Sequence, residues 1–481
     1  MDTPTPKPSR LKIIFRRALF GLAALATMGA LLLAEENWRG TRAWSHYKHA
    51  MEAKGERFDS ARLIPPKVPD DQNFAACPYL AHAFTGPAES PGWTNIDSYL
   101  PVYDLPRHPG WPYGSSADLA ICAAAFQGGA ASAKMDPVQA AAIILDHLKV
   151  CEPVLAQLRA ASLRPCCRFD IPYEDWGSQT NSNAISSTFN HYAVVKGLYR
   201  VLSLRAEAEL AANQSEQALN DVNLMFRLDD GLKDEPLLIS QLVRYACISV
   251  LLHPVAQGLA GRRWSDAQLR ALQERLGQTD LLASTIRSFY GERDLCANPF
   301  FNGSVMKPRG WDRLEQVNVN RAFQEALLPR INLAEREINP AIGHACDLAM
   351  SNHPRSGAFG AILHHRILAS MLLPSLCPAT QKTAEAQTDV DLMTVACALE
   401  RYRLVEKTYP EKLDALTPRF INRLPRDIIN GQPLKYRRAA SGKFVLYSVG
   451  WNGKDDGGTI ATRKDGKPDR LQGDWVLAYP D

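Results

Sequence analysis

The chain has 481 residues, 46% hydrophobic and 22% charged, which excludes a disordered protein and is too long for one ordinary core. Its 55 basic residues are nearly matched by 51 acidic ones, for a formal net charge of +4, and much of that excess sits in the first 17 positions. This near balance argues against a nucleic-acid partner, which selects for a basic face or tail.

In chain order, Lys7, Arg10, Lys12, Arg16 and Arg17 precede Ala18 to Ala34, a run without a single charge. At ~1.5 Å per residue the run spans a little under the ~30 Å of a bilayer core. Arg16 and Arg17 can snorkel at one end and Trp38 can anchor at the other. The pattern predicts a cytoplasmic basic tail (1–17), a transmembrane anchor (18–34) in a bacterial inner membrane and a periplasmic remainder, since basic residues stay inside. A signal peptide cleaved after Ala34 shares the basic start and apolar middle, but Leu32 is a poor match to the small residue such a site needs. Residues 35–58 continue as a juxtamembrane helix with Trp44, Tyr47 and Met51 on one face. The stretch Trp38 to Leu80, with Pro65, Pro66 and Pro69, resembles the opening of an uncharacterised family of anchored bacterial envelope proteins.

Residues 59–135 are rich in Pro, Gly and aromatics, as in His108-Pro109-Gly110-Trp111-Pro112. Proline fixes φ and removes a donor, so this segment is expected to wrap over the fold without long elements. Helical character begins at Asp136-Pro137, a helix start, and a helical domain is expected over 136–378. Its longest tract runs from about Ile185 to Ala260, with a polar turn at Ala212 to Ser215. That hairpin is similar to a tetratricopeptide unit but has no second copy at the ~34-residue period of a solenoid. Ser265 is a candidate N-cap. Pro374 and Pro378 predict the end of the domain.

A helical run from Leu392 to Tyr402 leads to Tyr409-Pro410, to Leu424-Pro425-Arg426-Asp427, and then to two strand-like segments, Pro433 to Tyr436 and Phe444 to Ser448. The closing loop reads Val449-Gly450-Trp451-Asn452-Gly453-Lys454-Asp455-Asp456-Gly457-Gly458. These residues resemble the globular part of type II secretion pseudopilins, and the resemblance implies a small α+β domain over 389–481 in which a helix packs on an antiparallel sheet. In the major pseudopilins the corresponding loop holds a structural calcium, so the resemblance implies Ser448, Asn452, Asp455 and Asp456 as a candidate Ca2+ site. Calcium takes six to eight oxygen ligands, which carbonyls of a Gly-rich loop help to supply. Asn452 departs from the family's aspartate, and Asn-Gly and Asp-Gly also form turns without any metal. The family's processing motif is missing near Gly21, so polymerisation as a pilin is not expected.

Catalytic signatures are sparse. G-x-S-x-G and H-E-x-x-H do not occur. Ser304 to Lys307 forms S-x-x-K, but Pro308 follows at once. His364 and His365 are adjacent, hence about 100° apart on a helix and poorly placed to share a metal. His191 lies on an apolar tract as a core or groove residue. Asp170, Glu174 and Asp175 beside Trp176 could serve acid–base chemistry on a sugar or simply cap a loop. Gly291-Glu292-Arg293-Asp294 reads as an ion-paired helix segment. The ten cysteines have irregular spacing and no C-x-x-C, which predicts mostly free buried thiols with one or two bridges.

The sequence therefore predicts a mainly α protein: an N-terminal transmembrane helix, an extracytoplasmic multi-helix domain and a small C-terminal α+β domain. The function expected is non-enzymatic, an envelope scaffold or interaction protein with envelope protein partners, associated with secretion-type machinery. An exported hydrolase built on Asp170, Glu174, Asp175 or His191, and a helical module binding a peptide or glycan, stay open as alternatives.

Overall fold

The computed structural model describes residues 10–85, 95–101, 118–128, 135–173, 189–301, 310–339, 367–439, 442–464 and 468–478. Helix α1, Arg10–Glu52, is one rod of 43 residues, so the tail's end, the apolar run and the juxtamembrane segment are continuous. Its first half is bare: Ile14, Phe15, Phe20, Leu25 and Leu31 are all exposed. Among the described residues this half packs on nothing, and by length and composition the helix is long and apolar enough to span a membrane.

The second half of α1 packs against α11, Gly310–Ala322. The two backbones touch where Gly40 meets Gly310. A Cβ on Gly40 would overlap the Gly310 carbonyl, and one on Gly310 would overlap that of Glu36. Only glycine on both sides allows this approach. The amide of Gly310 also donates to Asn37 Oδ1. Tyr47 is buried one face along, with its ring near Trp44 and Phe58.

The described parts of 59–135 contain only short helices, α2 (Pro78–Thr85) and α3 (Leu119–Phe126) among single turns. They lie on the core, where Phe74, Leu80 and Ile96 are buried. Asn73 pins them by pairing with Cys166 and donating from Nδ2 to the Arg168 carbonyl at 2.8 Å. Helix α4, Pro137–His147, starts where expected, with the Asp136 carboxylate accepting from the amides of Val138 and Gln139. Helix α5 spans Glu152–Ser162.

Next come α6 (Asn190–Ala211), α7 (Ser215–Leu232) and α8 (Leu238–Ala260), mutually packed. Asn213 makes the turn between the first two at φ 62°, a left-handed conformation that Asn tolerates. Helix α8 is also long and apolar, but it is largely buried in the protein and serves as a core helix. Helix α9, Asp266–Gly277, opens with a full capping box, Ser265 with Gln268. Helix α10 spans Leu281–Gly291. Strands β1 (Ile331–Asn332) and β2 (Glu337–Ile338) form a small hairpin.

Helix α12, Ile367–Glu406, is 40 residues long and passes through Pro374, Pro378 and the 378–389 stretch where the prolines predict a boundary. The prolines do not stop it. Arg330, buried beside this turn, donates to the Cys377 carbonyl at 3.1 Å and to the Thr380 hydroxyl at 3.0 Å. One core cluster joins Leu198 and Leu251 of the helices to Val395 of α12 and to Leu446 and Leu477 of the C-terminal sheet. That sheet is antiparallel in the order β3 (Lys435–Arg438), β4 (Phe444–Ser448), β7 (Trp475–Ala478), with β4 central, and α12 packs on β4 and β7. A hairpin of β5 (Ile460–Thr462) and β6 (Pro468–Gly473) stands beside it. The two strand-like segments read from sequence are β3 and β4, the first shifted by two residues; β5, β6 and β7 carry too little periodicity to be read.

The nine described cysteines are all free thiols; Cys346 lies outside the described residues. Gly40→Val should force the α1–α11 crossing apart and cost about 1–3 kcal/mol, as overpacking at a tight contact does. Limited proteolysis should then cut first within 310–339; an unchanged digestion pattern would contradict the crossing.

Candidate functional site

The closing loop is built outward from Asp427, which is buried. Its carboxylate accepts from the Ile429 amide (3.0 Å), the Ser448 hydroxyl (3.0 Å) and the Val449 amide (2.9 Å). These bonds fix the turn after Leu424-Pro425 to the end of β4. Burial raises the Asp427 carboxyl above its ordinary range, and the two amides and the hydroxyl oppose that rise. Ser448 is thus turned inward.

Beyond Gly450 the loop is held from two other sides. Asp455 accepts from the Tyr447 hydroxyl at 3.1 Å and the Gly457 amide at 3.1 Å, and pairs with Lys435 Nζ at 3.1 Å. The Lys435 ammonium and the Gly457 amide hold its carboxyl below the usual range. Asp474, which precedes β7, accepts from the amides of Asp456, Gly458 and Thr459. Asn452 donates to Asp456 at 3.2 Å and accepts from the Lys454 amide at 3.0 Å. Of the four candidate calcium ligands, Ser448 bonds Asp427, Asp455 pairs with Lys435, and Asn452 and Asp456 bond each other. Among the described residues no group of three or more His, Cys, Asp or Glu side chains is placed to hold a metal.

Of the hydrolase candidates, Asp170 and His191 are described. Asp170 is exposed and 3.5 Å from Arg168. Glu174 and Asp175 lie outside the described residues, as do Ser304, Lys307, His364 and His365. His191 is buried on α6 with Nε2 3.1 Å from Glu235 Oε1, and its ring lies against Phe169 and Tyr192. Glu235 also accepts from Tyr192 (2.9 Å) and Ser240 (2.5 Å). The carboxylate sits between His191 and Ser240, so this arrangement does not place the imidazole as base on the serine. Arg293 pairs with Asp294 at 2.8 Å and Glu56 at 3.0 Å between the rings of Phe58 and Tyr290. It ties the segment after α1 to the core, as its ion-paired reading anticipated.

A cleft of about 260 Å³ lies between α8 and α12, lined by Leu242, Leu252, Lys382, Glu385 and Asp389 and by Arg470 of β6. On α12, residues 382, 385, 386 and 389 follow helical spacing, so they share one face. Lys382 and Glu385 pair at 2.8 Å. Arg470 reaches Asp389 Oδ2 at 3.5 Å, while Asp389 Oδ1 is buried without a partner. Burial pushes the Asp389 carboxyl up to about 7, opposed by Arg470. Two residues on, burial pushes Asp391 up to about 7 as well, opposed by Arg336 and by a bond from Gln387. Sequence reasoning missed these residues; the signal available was two carboxylates just before the apolar run Leu392 to Leu399.

Compared with protein-family models, curated proteins and solved structures, the chain matches none.

Two outcomes are expected of the whole protein. Asp389 and Asp391 hold protons in the folded state over a range where the unfolded chain has released them. Their contribution is therefore fully present below about pH 4 and is lost as pH rises toward 7. Thermal unfolding should show a lower midpoint at pH 8 than at pH 5, and Asp389→Asn with Asp391→Asn should remove most of that difference. A variant with the wild-type pH slope would show that other groups set it. For the loop, millimolar calcium should leave the melting temperature unchanged, while Lys435→Met should lower stability by under about 1 kcal/mol, as loss of an exposed ion pair does. A calcium-dependent rise in melting temperature would instead place an ion there.

Proposed function

We propose that the protein is a non-enzymatic scaffold, anchored in a bacterial inner membrane by α1 with its bulk in the periplasm, that presents a pseudopilin-like C-terminal part to secretion-type envelope machinery. The observation that carries this reading is the continuity of α1. Its bare apolar half runs without a break into a half that is locked to the core through Gly40 and Gly310. A flexible tether would leave the body free to tumble; a continuous helix fixes its height and orientation above a bilayer, which is what a scaffold requires.

The use of polar groups supports the same reading. Arg244 makes a bidentate pair with Asp229 at 2.7 and 2.8 Å, and Arg205 joins Asp221 (2.7 Å) to Glu152 (2.8 Å). These groups are spent on joining helices. Burial, and then repulsion from Asp221, raises the Glu209 carboxyl, which belongs to the same cluster. The tetratricopeptide-like pair α6–α7 is covered by α4, α5 and α8, so its faces serve the core rather than a peptide groove.

The test is a cross-linking pull-down from intact membranes combined with topology reporters. A periplasmic-type reporter fused after Asp481 should be active and a cytoplasmic-type reporter silent. Cross-links should form to envelope proteins and be lost when residues 10–34 are replaced by a cleavable leader. An active cytoplasmic reporter at that fusion point would sink the orientation. A turnover found in purified protein and abolished by His191→Ala or Asp170→Asn would favour the hydrolase.

A further inference from the structure

The cleft between α8 and α12 is built in a way that the scaffold reading does not use. Leu242 and Leu252, one buried and one at the mouth, face the charged stripe of α12 across it. The charges of the stripe are mostly committed. Lys382 is held by Glu385, and Arg470 lies over the Trp475 ring and reaches Oδ2 of Asp389 at 3.5 Å. Asp389 Oδ1 remains, buried and without a donor, on a residue that lines a space large enough for several heavy atoms. Leaving a buried carboxylate oxygen unpaired costs stability, and a donor arriving from outside recovers it.

We propose that this cleft binds a small organic cation, a primary ammonium on a short hydrocarbon stem, with its N–H groups on Asp389 Oδ1 and its stem along Leu242 and Leu252. An anion would meet the carboxylates of Asp389 and Glu385, and the cations that could balance them are already paired. An alcohol offers one donor and no charge. An ammonium offers three donors and the charge that a buried carboxylate lacks. The site stands on chain geometry alone and is independent of the compartment in which the protein works.

Binding is coupled to a proton. The groups facing Asp389 are Arg470 from β6, Lys382 and Glu385 from its own helix, and on α8 the Tyr245 hydroxyl, which bonds Thr285 and Thr383. The carboxyl sits near neutrality when the cleft has no cation, so an ammonium must displace its proton. Affinity for a cation then falls about tenfold from pH 8 to pH 6.

The experiment is calorimetric titration of the full-length protein in nanodiscs with n-butylammonium chloride at pH 8 and pH 6. Saturable binding is expected at millimolar concentration, weaker at pH 6 by that factor. Asp389→Asn should abolish it while folding normally, because burial already favours a neutral side chain there. Ala246→Trp, an exposed position at the mouth, should block it by occupancy alone. Competition by Nα-acetyl-lysine methylamide would assign the cation to a partner's lysine, and its failure to compete would assign it to a free amine; both sustain the cation site. Butylammonium binding that survives in Asp389→Asn, equal competition by butan-1-ol or butanoate, or no saturation at either pH overturns the proposal.

Discussion

The structure depends on burying one helix on every side. From Thr383 to Arg401 of α12 every residue is buried, which no amphipathic helix on a single core would show. Such a helix must be wrapped, and its polar residues must each find a partner that does the wrapping. Thr383 meets Tyr245 of α8 and Thr285 of α10. Gln387 accepts from the Leu281 amide and donates to the Thr279 carbonyl, which seats the start of α10. Arg401 donates to Asp266 and Gln273 of α9 and to the Phe420 carbonyl, and Glu400 accepts from Tyr409. The order of elements around α12 is thereby written in side chains that cannot be left unpaired.

Where a local rule decides, the sequence is legible. Asp136-Pro137 and Ser265 start helices because a carboxylate or hydroxyl satisfies amides that every helix start leaves open. Asn213 turns a hairpin because its side chain tolerates positive φ. Phe444 to Ser448 is a strand because its residues suit a buried pleat. The misread boundary at Pro374 and Pro378 has an equally physical cause. Proline breaks an exposed helix, but here Leu376, Cys377 and Ala379 are buried, and Arg330 serves the carbonyl of Cys377 in that turn. Uniform burial also erases the 3.6-residue period by which a helix is recognised. Gly40 and Gly310 could not be paired at all, since close approach across 270 positions leaves no trace in either stretch.

The candidate loop was legible as a turn, while the partners of its carboxylates were not. Gly450, Gly453, Gly457 and Gly458 do adopt positive φ, as a tight loop requires. How the loop is held depends on partners elsewhere: the Lys435 ammonium from β3 on Asp455, and the carboxylates of Asp427 from the preceding turn and Asp474 beside β7, which accept from the loop's amides and the Ser448 hydroxyl. Acidic residues in a Gly-rich loop can be neutralised by a metal or by N–H groups, and the sequence shows the acids without showing which donor arrives. Here backbone amides bond Asp455 and Asp474 and Lys435 pairs with Asp455.

The same contrast separates three acids of α12 that look alike in the sequence. Asp391 has Gln387 at 3.0 Å, and Glu385 has Lys382 and Gln381 at 2.8 Å. Asp389, between them, has one oxygen near Arg470 and one with nothing. If α12 were built for stability alone, Asn or Leu at this position would pack against α8 without the desolvation cost of a carboxyl. Burial of a partly satisfied acid therefore sets Asp389 apart from Thr383, Gln387, Glu400 and Arg401, which are each closed by a neighbour, and the Thr388 hydroxyl beside it is likewise buried without one. Departures of this kind concentrate where a protein meets something outside itself. The cleft on the open side of Asp389 is where that meeting has room to occur, and Arg470 makes its outer wall a product of the C-terminal hairpin. Helical body and sheet thus form the cleft together, which neither could do as a separate domain.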